Sequence, residues 1–224
     1  MGYRKNILVP GQIYHVFNRT IAHEPLYLEK RDYSRFIDTV NFYRFDSPDL
    51  RFSHYNRLEK ENKNNFIKNL QGKGQNLVSI FSFTLMPNHY HFVVKENLAN
   101  GTKKFISNLQ NSFAKYINTK NNRHGSLFQE MFKANRIETD EQFVHTNRYV
   151  HINPYTSFIV RNFTELQNYP WSSFGAYIGQ NNFDFLEKEM LNSFYKSRED
   201  FLSFNYNQID YQRKLDEIKH LILE

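Results

Sequence analysis

L-M-P-N-H-Y-H-F-V-V-K, residues 85–95, ends one strand, turns, and opens another. Upstream, Leu77 to Leu85 carries Val78, Ile80, Phe81 and Phe83; downstream, Phe92, Val93 and Val94 follow the two histidines. Short runs of β-branched and aromatic residues broken by Pro87 and Asn88 predict two strands joined by a turn. Side chains of a strand alternate between faces, so His89 and His91 share one face and Tyr90 takes the other. Two imidazoles side by side can share a metal ion, because neutral imidazole nitrogen is a good ligand for divalent metals. The same pattern suits two partly buried histidines bonded to backbone, and the strand alone does not choose between them.

Outward from this pair the elements follow one another with short gaps. Q-I-Y-H-V-F-N-R, residues 12–19, alternates Ile13, His15 and Phe17 against Tyr14 and Val16 and predicts a first strand. Lys30 to Tyr43 places Tyr33, Phe36, Ile37, Val40 and Tyr43 at three- and four-residue steps, an amphipathic helix. Residues 46–75 are polar, rich in Asn and Lys, and end on Gly72 and Gly74; they predict a helical or partly mobile insertion. After the histidine strand, Thr102 can cap a helix to about Thr119 with Phe105, Ile106, Leu109, Phe113, Tyr116 and Ile117 as its buried stripe. Phe132 to Glu138 predicts a fourth strand. Thr139 or Asp140 then caps a helix to about Asn153, where Pro154 marks a boundary or kink.

Strand, helix, strand, strand, helix, strand is the βαββαβ ferredoxin-like order. The expected fold is therefore α+β: an antiparallel central sheet with helices on one face, a helical insertion and a helical C-terminal extension. The expected division is 1–180 as one domain, with 46–75 as its insertion, and 181–224 as the extension, with helical patterns around Phe185 to Phe194 and Tyr211 to Leu223.

Composition bounds the function. The 224 residues include no cysteine, which excludes disulfides and cysteine zinc sites. No stretch reaches the ~18 apolar residues of a membrane span, and nothing resembles a signal peptide, so a cytoplasmic protein is expected. A net charge of +6 with 17% aromatic residues fits a nucleic-acid partner. An A+T-rich genome gives the same Lys, Asn, Phe and Tyr usage.

In the helix before Pro154, Tyr149 and Asn153 are four apart and share a face. A tyrosine can act as a nucleophile and form a covalent intermediate, and an Asn oxygen can complete a metal site. A tyrosine in the core explains the same residue. Rival ligands and nucleophiles are His145, one turn before Tyr149, and Tyr90 and Tyr116; His151 points off that face, as a structural residue or a DNA contact.

M-P-N-H-Y-H-F-V-V at 86–94, together with R-Y-V-H-I-N-P at 148–154, resembles the single-tyrosine HUH transposases, and more closely the REP-associated tyrosine transposases and their insertion-sequence relatives. Y-H-V-F-N-R at 14–19, H-G-S-L-F-Q at 124–129 and Y-P-W-S-S-F at 169–174 support it in the family's order, across about residues 10–180. The resemblance implies a metal-dependent enzyme that nicks and rejoins single-stranded DNA beside hairpins through a 5′-phosphotyrosine. His89 and His91 would be metal ligands with Asn153 as the third, Tyr149 the nucleophile, and Mg²⁺ or Mn²⁺ the metal. Candidate DNA contacts are Arg19, Lys103, Arg123, Lys133 and Arg136. A monomer or a homodimer, with no membrane partner, is implied. Two alternatives stand beside it: a catalytically silent DNA-binding regulator, and a hydrolase in which the two histidines serve water.

Overall fold

The computed structural model describes residues 7–207 apart from 47, 75 and 130. The expected helix Tyr211 to Leu223 lies outside them. Four strands, β1 (Ile13–Arg19), β2 (Val78–Met86), β3 (His89–Glu96) and β4 (Lys133–Ile137), form one antiparallel sheet in the order β2-β3-β1-β4. With α1 (Lys30–Tyr43) between β1 and β2, and α4 (Gly101–Lys120) between β3 and β4, this is the ferredoxin-like arrangement. Register is set at the two ends of β1. Glu96 N donates to Gln12 O and Thr20 N donates to Asn88 O, both at 2.9 Å, which puts Arg19 opposite His89.

The chain divides into two compact units. In its described part the first holds Met1–Ser79, Pro87–His89 and Val94–Arg136. Tyr14 and Val16 of β1 are fully buried, and α1 packs on α4 through Tyr27, Phe36 and Phe113, whose ring centroids lie 5.0–5.6 Å apart. The helix α4 starts two residues earlier than expected, and Thr102 is not its cap. Asn100, with φ +61°, takes the capping position. Gly101 is required there, because a Cβ would come within 2.3 Å of the Leu77 carbonyl oxygen. The expected insertion is helical, with α2 (Phe52–Tyr55) and α3 (Lys60–Gly72), and it shares a core with the chain before it: Phe42 and Phe45 and the insertion's Phe52, Tyr55, Ile67 and Leu70 bury one another.

The second unit holds Ile80–Met86, Tyr90–Val93 and, in its described part, Ile137–Glu224. It contains α5 (Asp140–Thr156), α6 (Phe163–Gln167), α7 (Phe174–Tyr177), α8 (Glu189–Asn192) and α9 (Arg198–Tyr206). The Y-P-W-S-S-F motif runs along the open edge of β2. Leu85 N donates to Trp171 O at 2.8 Å, Phe83 N to Ser173 Oγ at 2.9 Å, and Tyr169 Oη to Leu85 O at 2.7 Å. Further along, Tyr177 Oη donates to Phe81 O and Glu187 N to Ile80 O. The edge strand is thus satisfied by covering chain, which removes its capacity to pair with another sheet. Thr139 caps α5 by accepting from Gln142 N at 3.1 Å. The boundary expected at Pro154 is absent: α5 passes through the proline to Thr156. The proline removes the N–H that would bond to the Val150 carbonyl and its ring crowds that carbonyl, a cost that burial of every residue from Val150 to Thr156 offsets.

Candidate active site

The strand β3 carries both histidines, two positions apart. In the first unit, His89 is half-buried and its Nδ1 donates to Asn88 Oδ1 at 2.6 Å; Asn88 in turn donates through Nδ2 to the His23 carbonyl at 3.2 Å. A ring held at Nδ1 keeps its lone pair on Nε2, the tautomer a metal takes, and such an outer partner also fixes the ring's orientation. Sequence reasoning did not assign Asn88 this role. Its signal was present in the P-N-H triplet, since an Asn directly before a ligand can reach that ligand's inner nitrogen.

In the second unit, His91 is 4% exposed and meets Tyr149 edge to face, with ring centroids 5.6 Å apart and planes at 88°. The helix α5 thus brings the candidate nucleophile to one of the two candidate ligands. Tyr149 itself is half-buried. Asn153, one turn on, is 3% exposed, and its Oδ1 accepts a long hydrogen bond from Ser157 Oγ at 3.4 Å. Among the described residues no group of three or more His, Cys, Asp or Glu side chains could hold a metal ion.

The remaining polar groups of α5 serve packing. Asn147 accepts from Ser82 Oγ at 2.5 Å and donates to Phe143 O at 2.8 Å, both fully buried. His151 is also fully buried, with Nε2 2.9 Å from Ser173 Oγ, and burial pushes its pKa down to about 3. It is a neutral structural residue, not a DNA contact. His145 accepts from Arg148 Nη2 through Nδ1 at 2.6 Å and lies 5.7 Å from the Phe204 ring, while the Arg148 guanidinium covers that same ring at 4.3 Å. These contacts tie His145 to α9. Tyr90 is fully buried, and Tyr116 donates through Oη to Asp32 at 2.8 Å.

The candidate DNA contacts all belong to the first unit. Arg19 and Lys103 are exposed. Lys133 is exposed, with its ammonium 5.9 Å over the Phe17 ring, and Arg136 is held by Gln12 Oε1 at 2.7 Å and 3.1 Å. Arg123 donates to Asn118 Oδ1 and lies 3.5 Å from Glu24. The structure gathers Lys133 and Arg136 on β4 beside β1 but does not bring Lys103 or Arg123 to them through any described contact.

Residues 51–153 match the family described as IS200-like transposases, a stretch that contains His89, His91, Tyr149 and Asn153. A solved structure of a REP-associated tyrosine transposase bound to a REP hairpin superposes with a TM-score of 0.54 at 13% identity, covering 84% of this chain and 98% of that one. No curated protein matches. The motif likeness is thus joined by two findings: residues 51–153 are similar to the IS200-like transposases, and the chain has the fold of a REP-associated tyrosine transposase.

Proposed function

We propose that the protein cleaves and rejoins single-stranded DNA beside hairpins, with Tyr149 as nucleophile. The contact between His91 and Tyr149 carries this reading, because it puts a phenol beside a ligand-type imidazole on a chain with the transposase fold. Tyr149 Oη attacks the scissile phosphorus in line; the bond from phosphorus to the 3′-oxygen breaks, and that oxygen leaves as a hydroxyl with a proton. The 5′-phosphate stays on Tyr149, and attack by another 3′-hydroxyl reverses the step, so no nucleotide triphosphate is consumed.

The donor set suits a divalent ion: two imidazoles, one of them held by Asn88, and the Asn153 side-chain oxygen. Bound by His89, His91 and Asn153, Mg²⁺ or Mn²⁺ would supply charge neutralisation at the non-bridging phosphate oxygens. Arg19 opposite His89, with Lys133 and Arg136, offers cations to the backbone of the strand. We take residues 1–180 as the transposase domain and 181–224 as its extension.

The test uses single-stranded hairpin oligonucleotides from the flanks of the gene, incubated with the protein and Mn²⁺ and resolved on denaturing gels. A protein–DNA adduct mapped to Tyr149 by peptide mass spectrometry is the expected result. Released product with no adduct would support a hydrolase instead. Hairpin binding with neither product nor adduct across metals would support a regulator.

A further inference from the structure

In the first unit, α4 carries a second stripe apart from its buried one. Asn108, Asn111, Ser112, Lys115 and Thr119 recur at helical spacing and line a cleft of about 710 Å³. The opposite wall comes from α1 and from the insertion, with Arg35, Tyr43 and Arg51. The guanidinium of Arg35 lies 4.4 Å over the Tyr116 ring, which holds it in place at the cleft wall. A second cleft of about 560 Å³ shares Lys115 and Thr119 with the first and continues past the end of α4 to Arg123 and His124. Neither cleft has a carboxylate among its described lining residues.

Lys120 also lines the first cleft, but its charge is held by Asp32 and Glu29. The cations left are Arg35, Arg51 and Lys115, interleaved with the half-buried rings of Tyr43 and Tyr116 and with amide side chains, while Arg123 in the second cleft lies 3.5 Å from Glu24. From Asn108 to Lys120 the helix advances roughly 18 Å, long enough for several nucleotides of an extended strand. Cations spaced along a groove with rings between them are what a single strand requires: phosphates meet the charges, and bases stack on the faces of the rings. An apolar peptide would leave the charges unmatched, and a metal would find no carboxylate.

We propose that this track along α4 binds single-stranded DNA as a contact additional to the one at Tyr149. The inference rests on the reading of the chain as an enzyme of single-stranded DNA, but its test separates the two. Full-length protein is titrated with a labelled hairpin oligonucleotide carrying an oligothymidine tail, the same hairpin without the tail, and one with an abasic tail. The tail is expected to raise affinity about tenfold, with the abasic tail giving only part of that gain.

The double variant Arg51→Ala/Lys115→Ala should lose the gain and show a salt dependence shallower by about 1.4 in log–log slope, ~0.7 for each phosphate contact. Its affinity for the tailless hairpin should be unchanged. A wild-type protein indifferent to the tail, or a double variant that keeps the gain, overturns the track. An RNA tail bound more tightly than the DNA tail overturns its assignment to DNA. A tail effect lost in the double variant, with no adduct on any oligonucleotide, keeps the track and overturns the nuclease.

Discussion

The helices α1 and α5 are of similar length, 14 and 17 residues, yet they fold for different reasons. In α1 the apolar residues recur at helical spacing, Phe36, Val40 and Phe42 are buried, and Arg31 and Ser34 stay wet. Burial of one stripe is enough to form it. In α5, every residue from Asn147 to Thr156 is buried except Tyr149, and five of them, Asn147, Arg148, His151, Asn153 and Thr156, are polar or charged. Such a helix has no amphipathic period. It depends on hydrogen bonds that replace the water its polar groups lose. The half-buried exception on this helix is the candidate nucleophile. The lesson is that the helix best suited to chemistry reads worst as a helix.

The sharpest break of this comparison is at the two tyrosines. Tyr149→Phe should remove the protein–DNA adduct entirely while leaving hairpin binding and the melting temperature near wild type. Tyr116→Phe, between α1 and α4, should keep the adduct and lower stability slightly. A surviving adduct in Tyr149→Phe would move the chemistry off α5 altogether.

Acid should distinguish the helices next. His151 has a pKa near 3 in the folded protein against about 6.5 when unfolded, so the unfolded chain takes up the proton first. Its contribution is unaffected above pH 6.5, and stability falls as pH drops from 6.5 toward 3. The loss at its full extent is on the order of 4–5 kcal/mol. His15 on β1, pushed down to about 4 by burial, works in the same direction. His151→Gln should flatten the acid limb measured by urea melts at successive pH values. An unchanged slope would mean that His151 takes up its proton at the same pH in the folded and the unfolded chain.

A smaller effect is expected from Asn147→Ala. It strands the Ser82 hydroxyl in a dry site, takes a second donor from the Phe143 carbonyl, and should cost about 3 kcal/mol in chemical denaturation. A loss below about 1 kcal/mol would show that the local structure rearranges to satisfy both groups.

Periodicity was enough to read the strands and α1 to within a residue or two, because each buries one face and the alternation or the stripe is written directly in the residues. It was also enough to see that Tyr149 and Asn153 share a side of α5. The extent of that helix was not legible, since Pro154 signals a stop and only the tertiary contacts of its last turn carry the helix through. The role of Asn88 was missed because its partner is the side chain beside it, which no periodicity marks. The insertion is helical, one of the two readings its composition allowed, but its core was not legible for a similar reason. Its Lys- and Asn-rich surface hides Phe52, Tyr55, Ile67 and Leu70, which find partners in Phe42 and Phe45 outside it.

The comparison can finally be tested from the α1 side, where the buried polar residues are Asp32 and Thr39 and only Asp32 is ionisable. Asp32 has no solvent-accessible surface. Burial alone would raise its pKa, but hydrogen bonds from Lys120, Tyr116 and the Leu28 and Glu29 amides outweigh that and hold the carboxyl below its usual range. Its stabilisation is therefore present above the unfolded carboxylate pKa and is lost as pH falls through the lower folded value. Asp32→Asn keeps an acceptor for the backbone amides but turns an NH₂ group toward two donors, Tyr116 and Lys120, and should cost about 2 kcal/mol near neutral pH. The penalty should shrink in acid, because there the wild-type carboxyl is protonated and has lost its charge as well. A penalty that stays constant down to strongly acidic pH would mean that α1 is held by its apolar stripe alone and that the buried carboxylate contributes only shape.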